Sequence, residues 1–246
     1  MVVKGIFSIR LVDAKTKEAF KEHKGPDGIV YAEVEPEAEY FVELAVVGGD
    51  YSKKVYVFEG YIDDTELNYT TPLDKEDGPE YRGIFSRVNG VSQQKAFQFS
   101  TPKLSKNGGS QGSTMLMGTV RYEIYEGVRC EYAAEDICEF TTGNNEVSDP
   151  SMIMDKTVRS TKGSYSESFK SGRLGYSYDQ GELVEEIELR YCTTVGLIYC
   201  GVLPKPSNVW DAYILMNPGK RRTADPGELL VEPKKIKYGG CSFLGR

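Results

Sequence analysis

The chain has 246 residues, with 30 basic against 37 acidic side chains and one histidine. The net charge of −7 offers no broad positive face to a polyanion, which argues against general nucleic-acid binding. Hydrophobic content of 39% is enough for a core, and Val, Ile, Tyr, Phe and Thr recur in short runs, which favours strands over helices.

No run of about 18 apolar residues occurs, so no membrane insertion is expected. The opening Met1-Val2-Val3-Lys4-Gly5 has neither the apolar core nor the cleavage site of a secretory signal. The cysteines are Cys130, Cys138, Cys192, Cys200 and Cys241. An odd count without a signal predicts free thiols and a reducing compartment, cytoplasmic or within a virion. The matched spacing of Cys130/Cys138 and Cys192/Cys200 is not that of a metal knuckle.

Residues 4–12 place Phe7, Ile9 and Leu11 on one face, a first strand. Asp13-Ala14-Lys15-Thr16 is a turn. Lys17–Lys24 reads as a charged edge strand or a short helix. Ile29–Val34 is a strand with Val30, Ala32 and Val34 in register, interrupted at Pro36. Tyr40–Val47 is apolar on both faces, with Tyr40, Val42, Leu44 and Val46 opposite Phe41, Ala45 and Val47, as suits the middle of a sandwich. Lys53–Gly60 resumes the pattern, and Tyr61-Ile62-Asp63-Asp64 leads into a polar loop containing Pro72. Tyr81–Val88, Ala96–Ser100 and Met115–Tyr125 follow.

Met115–Tyr125 is the most regular of these. Leu116, Gly118, Val120, Tyr122 and Ile124 share one side, and Thr119, Arg121, Glu123 and Tyr125 the other. That is the pattern of a central strand with one buried and one wet face. Val128–Phe140 adds a last, more charged strand. The spacing of strands and turns predicts an all-β fold, an antiparallel β-sandwich of jelly-roll-like form over residues 1–140. Residues 141–182 read as a polar linker or arm. Residues 183–246 read as a C-terminal extension packing on the sandwich or on neighbours. It contains alternation in Leu183–Tyr191, the apolar run Val195–Leu203 and Val209–Met216 with Trp210. Lys220-Arg221-Arg222 and Lys234-Lys235-Ile236-Lys237 read as solvated basic clusters.

The inventory for catalysis is thin. His23 lies among surface charges, away from any relay, and reads as solvent-exposed. A single histidine excludes multi-histidine metal centres. Phosphate-loop, dinucleotide and calcium-loop motifs are missing. The densest carboxylate clusters are Asp63-Asp64 and Glu185-Glu186-Glu188; Glu186 and Glu188 share a strand face, whereas Asp63 and Asp64 do not. Tyr56, Tyr61, Tyr81, Phe85, Phe97 and Phe99 suit either a core or a sugar platform. Asn68-Tyr69-Thr70 is a formal glycosylation sequon.

Several segments together resemble a large family of uncharacterised eukaryotic proteins, mainly fungal. They are Phe58–Asp64, Ser86-Arg87-Val88 with Ala96–Phe99, Gly118–Tyr125, Leu189-Arg190-Tyr191 and Leu197–Pro204. The resemblance implies a β-sandwich and brings no reaction and no catalytic residues. At the level of architecture, a jelly roll with an ordered arm is also similar to single jelly-roll minor and vertex capsid proteins of large DNA viruses.

The expectation is therefore a non-enzymatic structural or assembly protein, most concretely a minor or vertex (penton-type) capsid component. No catalytic, cofactor-binding or metal-binding residue is assigned. Its partners would be proteins in a homo- or hetero-oligomeric assembly. The alternatives are a β-sandwich binding module for carbohydrate or a protein partner, and a carboxylate-based hydrolase using Glu186 and Glu188.

Overall fold

A computed structural model describes residues 1–48, 54–73, 78–88, 91–104, 117–129, 146–147, 158–168 and 178–207. The chain divides into two units, Met1–Lys205 and Pro206–Arg246, and the two-sheet body lies in the first.

The seven-stranded sheet holds β1 (Val2–Lys4), β2 (Phe7–Asp13), β5 (Glu39–Val46), β8 (Glu80–Arg82), β9 (Ile84–Val88), β10 (Val91–Ser100) and β14 (Arg159–Ser168). The path runs β1-β2-β5-β10-β14, with β8 beside β5 and β9 beside β10. The six-stranded sheet runs β3 (Lys21–Lys24), β4 (Val30–Glu33), β15 (Tyr178–Cys192), β12 (Gly118–Arg129), β6 (Tyr56–Ile62) and β7 (Thr65–Leu73). Pairing is antiparallel except where β15 meets β4, and in the small β11 (Lys103–Leu104) and β13 (Glu146–Val147) pair. The all-β sandwich read from the sequence is the fold.

Alternation explains the layers. Phe7, Ile9 and Leu11 of β2, Tyr40, Val42 and Leu44 of β5, and Val120, Tyr122 and Ile124 of β12 all enter one core cluster between the sheets. Tyr40 stacks on Phe99 at 4.1 Å, and Phe99 leans on Tyr191 at 5.0 Å. Each such ring pair adds about 1 kcal/mol beyond the area it buries. β5 is apolar on both faces because Phe41 belongs to a second cluster, with Val12, Ala14 and Ala96, on the other side of its sheet.

Two glycines mark places where a backbone or ring comes too close for a side chain. A Cβ on Gly83, between β8 and β9, would lie 2.2 Å from the Lys95 carbonyl oxygen, so the strand changes partner from β5 to β10 there. A Cβ on Gly118 would lie 2.1 Å from the Tyr191 ring, which crosses the row that Gly118 shares with Val120 and Tyr122.

The structure differs from the sequence reading in where the sandwich ends. The sandwich does not stop at residue 140. β14, from the segment read as an arm, pairs along β10, and β15, spanning the arm and extension, is an interior strand between β12 and β4. β14 is the sheet-end strand Arg-Ser-Thr-Lys-Gly-Ser-Tyr-Ser-Glu-Ser, and its buried Ser160 faces polar partners, so it carries no hydrophobic rhythm. The segment around Pro72, read as a loop, is the outermost strand β7, where a missing donor is tolerated. The apolar run after Val195 holds a helix, α1 (Thr194–Tyr199), whose N-cap Thr193 accepts from the Gly196 N–H at 3.1 Å. Lys21–Lys24 is the edge strand β3. Val209–Met216, the two basic clusters, Leu116, and Cys130, Cys138 and Cys241 lie outside the described residues.

Candidate functional site

Asp63 and Asp64 form the two-residue turn of the β6–β7 hairpin, with φ of +49° and +62°. Both residues left-handed is the turn that fits strand twist, and aspartate tolerates it better than most residues. This turn aims the Asp63 carboxylate back between the sheets. Oδ1 accepts from the Thr119 N–H at 3.0 Å, and Oδ2 accepts from the Ser160 N–H at 2.8 Å and the Tyr191 hydroxyl at 2.6 Å. Ser160 Oγ bridges the hydroxyls of Tyr191 (2.6 Å) and Tyr40 (2.5 Å). Arg159 stands 3.9 Å from Oδ1 and donates to the Met117 carbonyl at 2.9 Å. Thr119 and Tyr191 belong to the six-stranded sheet, Ser160 and Tyr40 to the seven-stranded one, so this polar knot pins the layers together.

Burial pushes the Asp63 carboxyl above its ordinary range, against the Arg159 charge and the hydrogen bonds it accepts. Burial, then the Asp63 charge, pushes the Tyr191 phenol well above its ordinary value. Ser160 is buried between two phenols, and its hydroxyl is engaged by both.

The outer face of the six-stranded sheet carries the other titratable groups. Register places Glu123 of β12 between Glu59 of β6 and Glu186 of β15. The Tyr125 hydroxyl donates to Glu123 at 2.6 Å and Arg121 pairs with it, which together hold Glu123 below the ordinary carboxylate range. Arg121 also lies 4.2 Å over the Tyr61 ring and 3.9 Å from Glu186. Burial, with Glu66 and Glu123 nearby, pushes Glu59 up, although Gln180 donates to it at 3.1 Å. Glu188 pairs with Arg190 at 2.7 Å.

Glu186 and Glu188 therefore share a face, as expected. Sequence reasoning missed Glu59, pushed up first by burial, and Glu123, held down first by the Tyr125 hydrogen bond. The signal that finds them is strand register, which one sequence does not fix. All four carboxylates stand in one outward layer: Glu123 and Glu186 share Arg121, Glu188 pairs with Arg190, and Glu59 accepts from Gln180.

Past the last β6 pairing, Glu126 with Tyr56, the β12–β15 ribbon continues to the Arg129–Tyr178 pair, and the Gly127 N–H still donates to the Val55 carbonyl at 2.9 Å. Residues 179–184 of β15 are exposed on both faces, and Val128, Leu183 and Val184 are 58%, 56% and 43% exposed. Among the described residues, β4 covers β15 only at Arg190–Cys192. Lys4 covers part of the remaining edge, donating to the Glu186 carbonyl at 2.8 Å and pairing with Glu185 at 2.9 Å.

Comparison with family models, curated proteins and solved structures finds no match.

The remaining sequence candidates fall elsewhere. His23 is not the exposed bystander expected: its side chain is 14% exposed and its Nε2 lies 2.7 Å from Glu33, which also accepts from the Thr194 hydroxyl at 2.6 Å. Tyr56, Phe97 and Phe99 are core, whereas Tyr61 and Tyr81 are half-buried on outer faces. Cys192 and Cys200 form no disulfide among the described residues, and burial pushes Cys192 up to about 12. Asn68 lies in β7. No helix among the described residues is long and apolar enough to cross a membrane.

Proposed function

We propose that this protein is a non-catalytic assembly protein that docks a protein partner through the β12–β15 ribbon. The observation that carries the reading is the exposure of Leu183 and Val184, beside the Tyr125 pairing of the β12–β15 ribbon, and of Val128 further along it. Apolar side chains beside a strand edge that the described residues cover only in part are what a partner strand or sheet covers. The groups with chemistry support the same reading: Ser160 and Asp63 are committed to holding sheets, and the outer carboxylates are paired on an open face. A minor or vertex capsid component is the most concrete form of this role and rests on architecture alone.

A carbohydrate-binding module ranks second. Tyr61 and Tyr125 flank the outer carboxylates, but Arg121 already covers the Tyr61 ring at 4.2 Å, where a sugar would stack. The mass of the native species decides between the readings. An assembly protein purifies as an oligomer or with a stoichiometric partner, and Leu183→Glu with Val184→Glu dissolves that complex without unfolding the chain.

A further inference from the structure

The seven-stranded sheet carries a second constellation on its outer face, unrelated to the ribbon. The Lys17 ammonium sits 4.1 Å from the Phe41 ring centroid, 5.2 Å from Tyr81 and 5.7 Å from Tyr165. Phe41 comes from β5, Tyr81 from β8 and Tyr165 from β14, so three strands contribute one ring each. Phe41 is fully buried and forms the floor, and Tyr165 meets it edge-on at 66°. Glu167, two residues along β14, closes the cage with its Oε2 3.0 Å from the ammonium. Its other oxygen accepts from Gln94 at 2.7 Å, and Gln94 is 4% exposed, so the carboxylate is fixed from beneath. Burial pushes both phenols up, so both rings stay neutral and keep their negative faces.

The occupant is local and held under strain. Lys17 follows a turn in which Asp13 Oδ1 accepts from the Lys15 and Thr16 amides and the Asp13 carbonyl accepts from the Lys17 N–H. Its φ is +59°, a left-handed conformation that disfavours any residue but glycine. A primary ammonium is strongly hydrated and has three protons to place, and this one donates to Glu167. Rings and one carboxylate suit better a cation without protons to satisfy, since a methylated ammonium gives up less hydration on entering.

We infer that Phe41, Tyr81, Tyr165 and Glu167 form a recognition cage for a methylated ammonium group, with Lys17 as its resident plug. The group would come from a methylated lysine side chain or from a choline-like small molecule. Removing the plug raises the population of the open cage, and affinity rises with it.

The test measures binding of tetramethylammonium by calorimetry to wild type and Lys17→Ala, with the neutral alcohol 3,3-dimethylbutan-1-ol, the carbon isostere of choline, as control. Acetyl-trimethyllysine methylamide and choline separate the two sources. The expected result is binding to Lys17→Ala about ten-fold tighter than to wild type. It is lost on adding Tyr165→Ala or Glu167→Gln, and absent for the alcohol. If Lys17→Ala folds poorly, Lys17→Gly serves, because glycine takes the left-handed φ without strain. In wild type, added tetramethylammonium speeds acylation of Lys17, read by peptide mass spectrometry. Equal affinity in wild type and the folded plug variant, binding that survives loss of Tyr165, or a Lys17 acylation rate unmoved by the salt overturns the inference.

Discussion

Replacing Asp63 tests whether the polar knot holds the two sheets together. Burial raises the pKa of this carboxyl, so its charge is not what stabilises the fold. Its two oxygens matter as acceptors for Thr119, Ser160 and Tyr191. Asp63→Ala strands two backbone N–H groups at about 1–2 kcal/mol each, and weakens Tyr191 by about 1 kcal/mol because Ser160 Oγ still partners it. Alanine at φ of +49° adds about 1 kcal/mol. The sum is about 5 kcal/mol, a large part of a typical domain's stability. Asp63→Asn keeps one acceptor oxygen and tolerates the left-handed turn, so it costs about 2 kcal/mol. Asp63→Gly removes the strain but not the stranded donors and falls between them. Urea unfolding followed by far-ultraviolet dichroism measures all three, with the slope of the transition unchanged. An Asp63→Ala variant within about 1 kcal/mol of wild type refutes the reasoning, as does Asp63→Asn costing as much as Asp63→Ala.

Gly118→Ala would drive its methyl into the Tyr191 ring, which cannot retreat because Asp63 and Ser160 hold its hydroxyl; a loss of about 3 kcal/mol in the same unfolding assay is expected. Burial raises the Glu33 pKa, but hydrogen bonds from Thr194 and His23 and the charge of Lys21 overcome this and leave it below the ordinary 4.5. A depressed carboxyl contributes stability above its unfolded value and loses it as pH falls through the folded value. The gap between wild type and Glu33→Gln, about 1 kcal/mol at neutral pH, should close as unfolding is repeated at pH values falling below 4.5.

Strands with one dry face were legible from the sequence. Val120, Tyr122 and Ile124 alternate with Thr119, Arg121 and Glu123, and the structure places the two sets on opposite faces of an interior strand. The two-sided β5 was legible for the same reason. β14 was not, since it is built of serine, threonine and glycine and its buried Ser160 faces a polar knot and not a methyl group. The interior position of β15 was hidden because its first half, 179–184, leaves the core and reads as polar. Asp63-Asp64 announced a turn, but the three donors it gathers lie 56 to 128 residues away in sequence. The Lys17 cage is illegible for the same reason: its rings come from three strands that only the folded register brings together.

The proposed role stands on the β12–β15 ribbon, and sedimentation equilibrium combined with native mass spectrometry on protein purified from the cells that make it tests that role most directly. The account predicts a species heavier than the 27.5 kDa chain, as an oligomer or with a stoichiometric partner. Leu183→Glu with Val184→Glu should return it to a monomer with unchanged dichroism and melting. A wild-type protein that stays at 27.5 kDa at high concentration with no partner, or a complex indifferent to those two substitutions, would contradict it.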